Sequence, residues 1–90
     1  MIEQVGITTD GKAVMKGTFR FAETYGLPLD MIFMLMDERN QIPCWVSFYR
    51  EATKAGMKHA RILSKLSEPM GDIYGPKFTQ HVLGMLDRLK

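Results

Sequence analysis

Apolar residues recur at three- and four-residue spacing through most of the chain after about residue 18, the periodicity of helices that bury one face. Gly26 and Gly56 interrupt the pattern, with Pro28, Pro43, Pro69-Met70-Gly71 and Gly75-Pro76 as further punctuation. The pattern predicts a helix ending at Tyr25, then helices over Pro28–Arg39, Cys44–Ala55, Lys58–Glu68 and Pro76–Leu89. Pro28, Pro43 and Pro76 each fall where a first helical residue belongs, a position that tolerates proline because its N–H is not needed there. Short connections imply that consecutive helices pack on one another.

The opening segment supports two readings. Asp10-Gly11 between Val5-Gly6-Ile7 and Ala13-Val14-Met15 is a hairpin signal, and Phe19-Arg20-Phe21 alternates as a strand does. Alternatively Thr9 or Asp10 caps a helix running to Tyr25, with Val14, Phe21, Ala22 and Tyr25 on one face. A lone hairpin is marginal in water, and no later segment reads as a third strand, so the helix is favoured over a hairpin for residues 2–21. The expected fold is all-α: a single helical domain over residues 1–90, a compact bundle of four to five short helices with elbows at Gly26 and Gly56. One weak internal echo crosses it. Ala22-x-x-x-Gly26-Leu27 returns thirty residues later as Ala52-x-x-x-Gly56-Met57, and Ile32 and Glu38 align with Ile62 and Glu68, too few identities to define a repeat protein.

Met31-Ile32-Phe33-Met34-Leu35-Met36 is apolar on every side of a helix. Such a helix is buried all round. Either it is the centre of the bundle, or one face meets another chain, and methionine, which adapts to irregular surfaces, suits both. Met31, Phe33, Met34 and Met36 are therefore the candidate interface. The leading functional expectation is a small non-enzymatic interaction module that docks on a protein partner and self-associates as a homodimer.

The elbow at Gly56 carries the alternative. From residue 48 to 66 a small residue, a glycine four later and apolar positions beyond it follow the spacing of a helix-turn-helix DNA-binding element. Arg50, Lys54, Lys58, His59, Arg61 and Lys65 lie along it, and cations so placed can follow phosphates. A helix ending in a left-handed glycine, with an apolar residue folding back on the last turn, gives the same letters without nucleic acid. The Gly26 elbow fits the apolar template even better, yet its second helix has no groove-reading face. Glu51 and Lys65 also stand where that template is usually apolar. One unbroken helix from Pro43 to Glu68 would bury His59 and expose Met57, so a break with positive φ at Gly56 is expected, with Met57 more buried than His59.

The chain has 90 residues, 46% hydrophobic and 24% charged, as in ordinary globular domains. A net charge of +2 makes any basic signal local. The single cysteine, Cys44, excludes an internal disulfide and fits a cytoplasmic protein; no apolar run approaches a membrane span, and the N-terminus has no secretion-signal pattern. Gly6-x-x-x-x-Gly11-Lys12-Ala13 approaches a phosphate-binding loop, but Ala13 lacks the hydroxyl that holds magnesium. Cys44, His59 and His81 have no metal-ligand spacing. Trp45, Phe48, Ala52 and Ala55 share one helix face and read as core, with Tyr49 at its margin. No enzyme activity, cofactor or metal is expected.

Overall fold

A computed structural model describes residues 2–90. The element order is β1 (Glu3–Ile7), β2 (Ala13–Lys16), α1 (Thr18–Tyr25), α2 (Leu29–Glu38), β3 (Gln41–Pro43), α3 (Trp45–Lys54), α4 (His59–Tyr74) and α5 (Pro76–Asp87). Phe33, Phe48, Ile62, Leu66, Met70 and Leu86, drawn from α2, α3, α4 and α5, are fully buried at the centre.

The fold corrects the all-α expectation. Residues 3–16 form a β-hairpin, and β3 adds a third strand, giving the order β1-β2-β3 with β1–β2 antiparallel and β2–β3 parallel. The register sets Ala13 against Gln41, Val14 against Ile42 and Met15 against Pro43. The hairpin turn is closed by Thr8 N–H to the Lys12 carbonyl at 2.8 Å and by Gly11 at φ 88°. β3 is only three residues long and ends on a proline, so no alternating pattern announces it. What makes it a strand is the end of α2: Asn40 adopts a left-handed φ of 59°, stops the helix and turns the chain beside β2. Its carbonyl accepts Ala13 N–H at 3.0 Å, and its side-chain amide donates to the Gly11 carbonyl at 3.1 Å.

The proline positions shift accordingly. Pro76 does open α5, but Pro28 is the extended residue before α2, and Pro43 closes β3 ahead of the Cys44 N-cap. Pro69 does not end α4, which runs on to Tyr74. The continuation buries Met70 completely and packs Ile73 and Tyr74 on the core, offsetting the helical hydrogen bond that proline cannot make.

Both elbows lie where the glycines place them. Gly26 has φ 63° and Gly56 φ 97°; Leu27 N–H reaches the Ala22 carbonyl at 3.1 Å and Met57 N–H reaches that of Ala52 at 3.0 Å. These are left-handed helix caps with the following apolar residue folded back. The echo in the sequence is structural. From 18 to 28 and from 48 to 58, buried, half-buried and exposed positions succeed one another identically, residue for residue. Each element also meets its counterpart: β2 pairs with β3, α1 packs on α3, and α2 packs on α4.

A Cβ at Gly56 would meet no atom within 4 Å, so the cost of Gly56→Ala is purely conformational. Alanine is disfavoured by about 1–2 kcal/mol in this region. Urea denaturation should show a loss of that size with unchanged m-value; an unaffected midpoint would mean the elbow readily adopts another backbone.

Candidate nucleic-acid interface

The two cation-bearing helices of the Gly56 elbow are joined to the C-terminal helix by a polar relay. The Tyr49 hydroxyl lies 2.8 Å from His59 Nδ1, and His59 Nε2 lies 2.8 Å from Asp87 Oδ1. With the proton on Nε2, Tyr49 donates to Nδ1 and Nε2–H donates to Asp87, so both ring nitrogens are satisfied. Tyr49 is buried and the His59 side chain is only 16% exposed. The relay ties α3, the first residue of α4 and the last residue of α5 together. His59 is therefore a structural fastener and not a free surface histidine, and it is half-buried as Met57 is. Residues 10 and 28 apart carry no local signal of such a relay.

This junction gathers positive charge. Arg50, Lys54, Lys58 and Arg61 are exposed around the elbow. Leu89 shares a depression with Tyr49, Arg50, Thr53 and Lys54, which brings the exposed Arg88 and Lys90 to the same end of the molecule. Arg20 and Lys54 border a neighbouring hollow with Phe19, Glu51 and Ala55. Among the described residues the Lys and Arg ion pairs are Lys12–Asp37 and Lys16–Glu3, so none of these seven cations is paired.

The carboxylates nearby are engaged elsewhere. Asp87 holds His59, and Glu51 reaches from α3 to the start of α1, accepting Gly17 N–H at 3.0 Å and Arg20 N–H at 3.3 Å. α1 has no cap of its own and no acid in its first turn, so Glu51 supplies the negative charge its N-terminus favours. No carboxylate reaches the start of α4 in the same way among the described residues. That helix start has no side-chain cap and no acid in its first turn, and Lys58 and Arg61 flank it.

Not every candidate residue belongs here. Lys65, one turn beyond Arg61, lines the groove between α2 and α4 with Asp30, Glu68 and Asp72 and leaves the basic group. In α2, Phe33 is 0% exposed and Met36 is buried, so neither can meet a partner; Met31 is half-buried and Met34 is 44% exposed. The helix is thus core on one side and open on the other. Ala55 is exposed, whereas Trp45, Phe48, Ala52 and Tyr49 are core.

A cleft of about 680 Å³ separates the hairpin turn from the α4–α5 junction. Thr8, Asp10, Lys12 and Asp37 rim it, and Ile42, Tyr74 and Phe78 line it more deeply. Lys12 here pairs with Asp37 at 3.1 Å, and the Gly6–Lys12 stretch is the end of β1 and the hairpin turn, not a phosphate loop. The Tyr74 hydroxyl is buried with no partner among the described residues. Burial, aided by the negative charge of Asp37, pushes its pKa well above the ordinary tyrosine value, so it stays protonated. The Asp10 carboxyl is held below its usual range by the Thr8 hydroxyl. Among the described residues no three His, Cys, Asp or Glu side chains are grouped as metal ligands, and no helix is long and apolar enough to cross a membrane.

No protein-family model matches this chain, and neither a curated protein nor a solved structure matches it.

Proposed function

We propose that the protein binds nucleic acid through the basic end formed by the C-terminal half of α3, the start of α4 and the residues that follow α5. The observation that carries this reading is the pairing pattern. Arg50, Lys54, Lys58, Arg61, Arg88 and Lys90 are exposed and unpaired, while the two carboxylates among them, Glu51 and Asp87, are bound to α1 and to His59. Exposed unpaired cations give a positive field despite the small net charge, and phosphates are the anions such a surface attracts. The start of α4, flanked by Lys58 and Arg61, has no side-chain cap, and phosphate is held by the backbone N–H groups of such helix N-termini. The other functional expectation, a self-associating module docking on a protein partner through Met31, Phe33, Met34 and Met36, loses Phe33 and Met36 to the core.

The test is a fluorescence titration with a labelled DNA duplex at several salt concentrations. Affinity should fall steeply with salt. Lys58→Ala with Arg61→Ala should weaken binding about tenfold and lower the salt slope by about one for each phosphate no longer neutralised. Lys77→Ala, outside this group, should change nothing. Absence of binding at low salt, or equal affinity of the double variant, would remove the reading.

A further inference from the structure

We infer that the exposed face of α2 is a docking surface for a basic amphipathic helix of another protein. The two halves of the chain supply an internal control. Met31, Met34 and Leu35 of α2 occupy the positions taken by Arg61, Ser64 and Lys65 in α4, thirty residues on. Burial agrees at Ile32 and Ile62, at Met34 and Ser64 and at Met36 and Leu66, whereas Met31 is half-buried where Arg61 is exposed and Leu35 is exposed where Lys65 is half-buried; α2 packs directly on α4. The scaffold therefore folds with polar or charged side chains at these places. Its own core does not require the apolar residues of α2, of which Met34 is 44% and Leu35 37% exposed.

The charge around them selects the partner. At 100° per residue, Asp30 and Glu38 fall on the same exposed arc as Met34, Met31 and Leu35, while Asp37, also on that arc, is held by Lys12 at 3.1 Å. Within α2 itself no residue is cationic; the one cation at its end, the C-cap Arg39, turns its guanidinium back onto the Leu35 carbonyl at 3.3 Å. Glu68 and Asp72 extend the acidic surface across the groove to α4, against the single Lys65. A methionine- and leucine-bearing face set among carboxylates complements a helix with apolar residues at three- and four-residue spacing and Lys or Arg beside them, the helix-in-groove mode of recognition. A symmetric dimer through the same face would bring Asp30 of one copy towards Glu38 of the other, and these like charges oppose it.

The experiment uses the whole chain and a fluorescein-labelled helical peptide of leucine and lysine at heptad spacing, with a leucine–glutamate peptide of the same pattern as control. Anisotropy should show binding of the lysine peptide and none of the glutamate peptide. Met34→Lys with Leu35→Lys should weaken binding at least about tenfold with the thermal midpoint kept, since both positions are exposed. Asp30→Asn with Glu38→Gln should weaken it severalfold, most at low salt. Lys58→Ala with Arg61→Ala should leave it unchanged, so failure here is separate from failure of the nucleic-acid reading. The inference is overturned by no binding of the lysine peptide, by binding that Met34→Lys with Leu35→Lys leaves intact, or by sedimentation showing a dimer of the chain alone that Met34→Lys dissociates.

Discussion

Phe33→Ala should unfold much of the protein, whereas Met34→Ala beside it should leave stability within about 0.5 kcal/mol. Phe33 is fully buried, its ring set edge-on to Trp45 with centroids 5.4 Å apart and tilted against Tyr74 at 5.9 Å. Truncating a buried phenylalanine costs about 3–5 kcal/mol, because the cavity strips packing from every side. A domain of 90 residues has a total stability of roughly 5–13 kcal/mol, so one substitution removes a large share of it. The thermal midpoint should fall by about 20 °C. Trp45, the single tryptophan, reports the loss directly through its fluorescence in urea. A stable, folded Phe33→Ala protein would mean that α2 is not held by this aromatic contact.

That contrast marks how far the sequence reaches. Six consecutive apolar residues announce a helix wanting burial, but not which side receives it. Only packing against α4 and β3 places Ile32, Phe33 and Met36 inward and leaves Met34 and Leu35 open. The elbows were legible because glycine is the residue that adopts positive φ without strain, and Gly26 and Gly56 each end an amphipathic helix. The sheet was not, because its third strand is three residues long and exists through pairing with β2. A parallel partner 28 positions away leaves no local trace. The basic stretch was legible as charge, but its membership was not. Lys65 is lost to the acidic groove, while Arg88, Lys90 and Arg20 join from distant segments. The relay through His59 is likewise a product of three helices meeting.

Glu51 is where stability and the proposed function pull in opposite directions. In the sequence it is the acid that spoils both a basic stretch and a helix-turn-helix template. In the fold it is the cap that α1 lacks, reaching across from α3 to Gly17 and Arg20 N–H. Gly17 is buried, so removing the carboxylate leaves its N–H without a partner. A hydrogen bond to a charged group contributes about 1.5–3 kcal/mol, and the helix N-terminus adds a few tenths more. Glu51→Ala should therefore cost about 2–3 kcal/mol in urea denaturation. Glu51→Gln, which keeps one acceptor oxygen and loses the charge, should cost about half as much. Either change also removes a negative charge from beside Lys54, Arg20 and Lys16. At a temperature where both variants stay folded, duplex DNA should bind Glu51→Gln at least as tightly as the parent chain, with a salt dependence no weaker. An affinity that falls in step with stability would show that the basic end works only while α1 is pinned to α3. It would place the glutamate inside the binding device, and not merely beneath it.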